Sequence, residues 1–322
     1  MMKSYVLIDI GGTAIKYGLL DEEERLFFKD KISTEAWKGG IHIQQTVIRL
    51  VSELLHRCQE NHTQAVGIAI SSAGMVNVKE GYIFHAGPTI PNFKGTQFRK
   101  PLEETFGIPC EIENDVNCAG LAEYKAGAGK ETDSMVCLTI GTGIGGCAVI
   151  DGKILHGFTG SACEVGYMHM SGLSNPDSSA IGSDSPYVYR DSFERIGSAS
   201  ALSRRVSELK NEKAEDWDGV HIFSAAESGD RECRRAINEM CDVLGKGIAN
   251  ICYVLNPEMV VLGGGIMAQK EILYPMIRTA MNRYLVPVIA ENTRLEMAQM
   301  GNDAGMIGAY YHFRQMQDMR KR

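Results

Sequence analysis

The sequence predicts an α/β protein of two similar halves, and three observations carry that prediction. An apolar strand, a glycine turn and a returning strand begin with Val6-Leu7-Ile8-Asp9-Ile10-Gly11-Gly12-Thr13, and the same order restarts at Val136-Cys137-Leu138-Thr139-Ile140-Gly141-Thr142-Gly143. Short apolar runs alternate with segments whose apolar residues recur at the helical period. At 322 residues the chain also exceeds the roughly 100–200 residues of one core. Hydrophobic residues make up 44% and charged residues 23%, which excludes a disordered or fibrous chain.

The elements follow in order. Tyr5–Ile10 reads as a buried strand, Gly11-Gly12 as a tight turn, Ile15–Leu20 as the returning strand and Arg25–Ile32 as a third. From Ile41 to Cys58 the apolar positions 41, 43, 47, 48, 51, 54 and 55 follow a helix, and Val66–Ser71 is again a strand. Phe106–Ile112 reads as helix end, turn and strand. After the repeat at Val136, a long helix spans Arg231–Leu255, with Ile237, Met240, Cys241, Leu244, Ile248, Ile251, Cys252 and Leu255 on one face. Met259–Leu262 is a buried strand ending in Gly263-Gly264-Gly265, and helices follow near 268–283 and 303–318. The expected halves are residues 1–115, completed by a C-terminal helix over 303–322, and residues 116–302, with a cleft between them. The Ser-, Pro-, Asp- and Gly-rich stretch 170–191 reads as a loop inserted in the second half.

Charge and cysteine usage narrow the function classes. A formal net charge of −7 opposes attraction to nucleic acid or anionic lipid. The first apolar run is too short for a signal peptide, and no window approaches the roughly 18 apolar residues of a membrane span. The 9 cysteines include no CxxC pair, so reduced thiols in a cytoplasm are the economical reading.

Glycine stands out. Its 35 copies exceed the roughly 23 expected at an average near 7%. Many fall in three turns that each follow an apolar strand, where main-chain N–H groups can approach phosphate oxygens. Gly141-Thr142-Gly143-Ile144-Gly145-Gly146 satisfies GxGxxG, but Cys147–Ile150 reads as a strand where a dinucleotide site needs a helix. A nicotinamide dehydrogenase is therefore disfavoured. Asp9, ending a strand before Gly11, can hold Mg²⁺ on nucleotide phosphates directly or through water, with Lys16 as compensating charge; a turn-stabilising Asp and a solvated Lys are the alternatives. Asp115, in Glu113-Asn114-Asp115, reads either as a helix N-cap or as a base taking the proton of an attacking hydroxyl, with Asn114 bonding a neighbouring hydroxyl.

Asp9-Ile-Gly-Gly-Thr-Ala-Ile-Lys16, Glu113-Asn-Asp115, Ile140-Gly-Thr-Gly-Ile-Gly-Gly146, Glu164-Val-Gly166 and Asn256-Pro257 leading to Leu262-Gly-Gly-Gly265 resemble, in order and spacing, the ROK family of sugar kinases. The resemblance runs from about residue 4 to 310. It implies the actin-like ATPase (ribonuclease H-like) fold, two similar α/β domains flanking a catalytic cleft, and phosphorylation of hexoses with Mg-ATP. It resolves Asp115 toward the base. It places Asp9, Gly11, Gly12, Thr13 and Lys16, with Gly141, Thr142 and Gly143, on phosphates and metal, and Gly263, Gly264 and Gly265 near the nucleoside. Asn92 in Pro91-Asn92-Phe93, Asn114, Asp115, Glu164 and Glu194 become the sugar-hydroxyl ligands. A homodimer is the assembly the resemblance suggests.

The chain departs from the family at its structural zinc. Tyr167 stands at the usual His, and Ser185, Tyr187 and Ser192 at the three Cys. Hydroxyls are poor ligands for zinc, so no structural zinc is expected, and His169 has no thiolate partners. Zinc-less members resemble β-glucoside kinases, which phosphorylate the 6-hydroxyl of the non-reducing glucose of disaccharides such as cellobiose or gentiobiose. That reading is favoured over a glucokinase or another hexose or N-acylhexosamine kinase of the family. Tyr167, Tyr187 and Tyr189 can stack on a ring. The family's sugar-responsive repressors carry a helix-turn-helix before the kinase-like body, for which a first strand entered at Ser4 leaves no room. An actin-like chaperone or filament protein would leave the sugar-side carboxylates without a role.

Overall fold

The computed structural model describes residues 2–170 and 191–321. They form two compact units: Met1–Lys130 with Ile154–Ala162 and Met300–Arg322, and Glu131–Lys153 with Cys163–Gln299. Most of the inserted stretch, including Ser185, Tyr187 and Tyr189, lies outside the described residues.

The first unit is built on a five-stranded sheet. Its strands are β1 (Met2–Ile10), β2 (Ala14–Asp21), β3 (Leu26–Ser33), β4 (Thr63–Ser72) and β7 (Cys110–Asn114), in the order β3-β2-β1-β4-β7. A small hairpin, β5 (Met75–Asn77) with β6 (Tyr82–His85), stands apart. β1 pairs antiparallel with β2 and parallel with β4, and β4 pairs parallel with β7. The ends of β1, β4 and β7 therefore lie along one edge and deliver Asp9, Ser71 and Asn114 there.

Strand parity decides which way each β1 side chain faces, because successive residues point to opposite sides of a sheet. Val6, Ile8 and Ile10 pack with Ile43, Val47, Leu50 and Leu54 of helix α1 (Gly40–Glu60). Tyr5 and Leu7 pack on the other side with Met306, Ala309, Tyr310 and Phe313 of the C-terminal helix (Ala304–Arg320). A strand covered on both faces has no room for polar alternation, which is why β1 reads as a continuous apolar run. By the same parity Asp9 faces the C-terminal helix. That helix also packs on α3 (Asp115–Ala126), with Gly308 against the Cys118 carbonyl. The packing puts α3 in the first unit, although the sequence boundary at residue 115 assigns it to the second half.

The second unit repeats the arrangement. β8 (Ser134–Ile140), β9 (Ile144–Ile150), β10 (Lys153–Ile154), β11 (Met259–Gly263) and β12 (Arg294–Met297) form a sheet in the order β10-β9-β8-β11-β12. β8 pairs antiparallel with β9 and parallel with β11, as β1 does with β2 and β4. The GxGxxG segment is thus a hairpin turn running into a strand, not a dinucleotide-binding helix start. The long helix Arg231–Leu255 has the bounds its periodicity predicts and buries Ile237, Met240, Cys241, Leu244, Ile248, Ile251 and Cys252. Eight of the nine cysteines are buried and all nine are free thiols. No helix among the described residues is long and apolar enough to cross a membrane.

A Cβ at position 308 would overlap the Cys118 carbonyl, and backbone yields less readily than a side chain. Gly308→Ala is expected to cost about 1–3 kcal/mol through overpacking, read as a lower urea midpoint. An unchanged midpoint would show that α3 and the C-terminal helix do not approach this closely.

Candidate active site

Asp9 is the first group on the shared strand edge. The β1–β2 register sets it opposite Lys16, whose Nζ lies 3.2 Å from Oδ2 and also donates to the Asn302 carbonyl at 3.0 Å. Ser71 Oγ donates to Oδ1 at 2.7 Å. The carboxylate fills the space a Cβ on Gly305 would need, within 2.6–2.8 Å of its three atoms, so a glycine in the first turn of the C-terminal helix lets the acid sit there. The positive end of the helix favours that anion. In the adjoining turn, Gly11 N donates to Ala14 O at 3.0 Å, and Thr34 holds the turn from outside through Oγ1 to Gly11 O at 2.6 Å and N to Thr13 O at 3.0 Å.

The Glu113-Asn114-Asp115 segment joins β7 to α3. Asn114, not Asp115, is the N-cap: its Oδ1 accepts from Val116 N at 2.9 Å and Asn117 N at 3.0 Å. Its Nδ2 donates to Gly74 O at 2.9 Å and to Asp115 Oδ1 at 3.0 Å. Both amide hydrogens and the oxygen of Asn114 are thus engaged, one of them with the carboxylate of its neighbour. Asp115 is the first helical residue and half-buried, and its Oδ1 also accepts from Val116 N at 3.0 Å. The buried Cys118 thiol records how close the acids are: burial pushes it well up, and the Glu113, Asp9 and Asp115 charges add to the rise.

Glu113 is 1% exposed and was not singled out in the sequence. Oε1 accepts from Asn114 N at 2.7 Å and Asn117 Nδ2 at 3.0 Å, while His156 Nε2 donates to Oε2 at 2.5 Å. Burial opposes the charge on Glu113, yet the His156 hydrogen bond and the other donors hold its pKa below the usual range. Burial alone would lower the His156 pKa, but Glu113 raises it on balance. His312 Nδ1 lies 3.5 Å from Oε2. Complete burial pushes the His312 pKa down to about 4, so the ring is neutral at pH 7 and this approach is not an ion pair. Its Nε2 has no partner among the described residues.

Asn92 is exposed, with φ at +52°, in the left-handed region that Asn tolerates better than most residues. Its segment is anchored by the buried Phe93 and by Gly40 N donating to Pro91 O at 3.2 Å.

In the second unit, Glu194, on the short helix α4 (Phe193–Gly197), lies against Gly143, where its carboxylate takes the room of the missing Cβ, and neighbours Gly166, whose Cβ room is taken by the Ile144 carbonyl. Gly141 N donates to Gly143 O at 3.0 Å, closing the turn around Thr142. Burial raises the Glu164 pKa and the Glu194 charge adds to the rise, so the two acids share one environment. Gly263 ends β11, Gly264 takes φ +98° with its α-carbon against Ile140, and Gly265 opens a 3₁₀ turn.

Of the residues at the family's zinc positions, Tyr167 is exposed and the buried Ser192 Oγ has no partner among the described residues, while Ser185 and Tyr187 lie outside them. No group of three or more His, Cys, Asp or Glu among the described residues could hold a metal. Other contacts close the base of the insertion. Met170 N donates to Asp191 O at 3.0 Å, Phe193 N to Met168 O at 2.8 Å, and His169 Nδ1 lies 2.7 Å from Asp191 Oδ1. Phe193, fully buried, packs on Gly247 of the long helix and seats α4.

The ROK family model matches residues 5–316. The chain belongs to the ROK family. It is 45% identical to an uncharacterized protein of Clostridium perfringens, over 98% of this chain and 99% of that one. It is 32% identical to a β-glucoside kinase of Listeria innocua, over 95% and 96%. A ROK family glucokinase of Streptomyces griseus, solved with glucose and AMPPNP, superposes with a TM-score of 0.78 at 27% identity, over 97% and 99%. A ROK family transcriptional regulator superposes at 0.85 with 22% identity, which speaks to the fold alone. The fold is the actin-like ATPase fold of the ROK sugar kinases, and sequence similarity places the chain among those kinases.

The three titratable groups of the buried cluster affect stability in different pH windows. His312, depressed to about 4 from an ordinary value near 6.5, penalises folding as pH falls from about 6.5 to 4, because the unfolded chain takes the proton first. The penalty reaches about 3 kcal/mol at the acid end. His156, raised, contributes fully below about 6.5 and loses its contribution as pH climbs through its folded value, whereas Glu113, lowered, contributes fully above about 4.5 and loses its contribution as pH falls below it. His312→Gln should flatten the loss of unfolding free energy between pH 6.5 and 4. Equal slopes for variant and parent in urea titrations would refute a neutral buried His312.

Proposed function

We propose that the protein transfers the γ-phosphate of ATP to the 6-hydroxyl of a glucosyl unit, with β-glucosides of the cellobiose or gentiobiose type as preferred acceptors. The observation that carries the reading is Asp115: a half-buried carboxylate at the first turn of α3, held by the Asn114 amide at the strand edge that also delivers Asp9 and its glycine turn. Phosphoryl transfer asks the protein chiefly for positioning and charge compensation, and for one group to take the acceptor's proton. Asp115 takes that proton. Asn92, Glu164 and Glu194 bind sugar hydroxyls, for which carboxylates serve as acceptors. Burial first, and the Glu194 charge second, raise the Glu164 pKa.

The turns at Gly11-Gly12-Thr13, Gly141-Thr142-Gly143 and Gly263-Gly264-Gly265 hold ATP, with Lys16 supplying positive charge. Mg²⁺ neutralises phosphate charge when bound. Asp9, whose oxygens already accept from Ser71 and Lys16, would hold the ion directly or through water, as suits a cation that keeps several waters.

Tyr167, Ser185, Tyr187 and Ser192 at the family's zinc positions support the β-glucoside preference, and the Listeria innocua relative is in line with it. The exposed Tyr167 follows Glu164 by one short turn, where a second sugar ring can stack on it. The second reading, a glucokinase, is favoured by the Streptomyces griseus structure. A cytoplasmic homodimer completes the proposal.

Asp115→Asn should lower turnover on the order of 10²–10⁴-fold while ATP binding stays near normal. Near-normal turnover would remove Asp115 from the role of base. A coupled assay with glucose, cellobiose, gentiobiose, salicin, mannose, fructose and N-acetylmannosamine should give the highest kcat/KM for a β-glucoside, and a maximum at free glucose would select the glucokinase reading.

A further inference from the structure

We propose that His156 is a positioning residue for phosphoryl transfer: its protonated ring, locked on the buried Glu113 carboxylate, fixes the Asn114–Asp115 backbone and hence the aim of Asp115. The inference rests on the kinase reading above and adds to it a residue outside the glycine turns and the Glu113–Asp115 motif.

Glu113 is a four-way junction. Its carboxylate receives the backbone N–H of Asn114 from the strand end, the Asn117 amide from α3, the His156 ring from the 154–162 segment and the close approach of His312 from the C-terminal helix. Asn114, so held, caps α3 and donates to Asp115. A shift of Glu113 therefore passes to Asp115 through one residue, without any contact between His156 and the substrate.

A buried carboxylate needs a charged partner, since removing one member of such a pair leaves an uncompensated charge. The groups facing His156 and Glu113 are His312 from the C-terminal helix, its ring 6.4 Å from that of His156, and Asn117, Cys118 and Asp115 from α3, with Arg99 behind His312. His312 is neutral and Asn117 uncharged. Arg99 is spent on Glu111 and on the carbonyls of Val78, Lys79 and Cys110. His156 is the cation that reaches the Glu113 carboxylate.

The segment bearing His156 is seated so that the ring is aimed. Ser161 Oγ lies 3.5 Å from Met75 Sδ, and Ala162 N donates to the His156 carbonyl at 3.2 Å. Gly160, at φ +87°, takes a left-handed turn in which a Cβ would come within 2.9 Å of Val76 O. As pH rises and the ring loses its proton, Glu113 loses its counter-charge, and turnover should fall on the alkaline side.

The test uses the full chain, His156→Gln and His156→Arg, with kcat, KM and their pH profiles measured on the best sugar of the panel. His156→Gln should lower kcat roughly 10–10²-fold, as misaimed catalytic groups do, with KM for ATP within about twofold. His156→Arg, charged at every pH, should recover most of that rate and remove the alkaline limb. Wild-type kcat and pH profile in His156→Gln would overturn the proposal, as would two folded variants equally slow. Should the variants not fold, imidazole NMR of the wild type decides: His156 doubly protonated at pH 7 and titrating with the alkaline limb supports the lock, and a singly protonated ring overturns it. If no sugar is phosphorylated, the kinase reading falls and the positioning role with it, while the NMR result separately decides whether the ion pair exists.

Discussion

The arrangement of the first unit turns on the burial of one carboxylate. Glu113 lies near the end of β7, the parallel edge strand of the sheet, where water does not reach it, so its charge has to be met by donors from the chain itself. Those donors come from its own strand end, the helix that follows and a distant segment, with His312 of the C-terminal helix close by, and each is thereby tied to the place where Asp115 begins α3. Residues separated by 43 positions, His156 and Glu113, are thereby brought into hydrogen-bond contact. The acid is poor material for stability alone, because a well-packed apolar cluster would do as well; what it contributes is directionality.

A second pattern concerns where acids sit. Asp9 occupies the space left by Gly305, and Glu194 the space left by Gly143. In both units a candidate ligand is admitted by a glycine that lacks a Cβ, not by a turn that needs a positive φ. The glycine surplus therefore has three uses: turns at the proposed nucleotide loops, seats for carboxylates, and close contacts such as Gly308 on Cys118 and Gly247 on Phe193.

Much of the fold was legible because its signals are local. The β1 run, the long helix Arg231–Leu255 and the two glycine hairpins are written in consecutive residues, and periodicity reads them directly. The site was legible only in its acids. Asn114 took the capping role offered to Asp115 because a side chain one residue earlier has the extended backbone a cap needs. Glu113, His156 and Ser71 escaped notice for another reason: their partners are 43 and 62 residues away, and nothing in an isolated His or Ser announces such a pairing. Gly305 left one trace, a glycine inside a helical pattern, which usually has a packing cause.

The base of the insertion shows how contacts of the chain itself can seat a short helix. A metal would fix the start of α4 with a few short, strong bonds. Here the same start is held by two backbone hydrogen bonds, the His169–Asp191 contact, Lys246 Nζ on the Met170 carbonyl at 2.6 Å and the burial of Phe193. These are individually weak, at about 0.5–1.5 kcal/mol net for a hydrogen bond. Phe193 is the strongest of them, since fully burying such a side chain is worth about 1.5–3 kcal/mol. Because Glu194 follows Phe193 directly, the apolar anchor also sets the carboxylate's position against Gly143 and Gly166. Packing thus does at α4 what hydrogen bonding does at α3: each fixes one residue so that the next one is aimed.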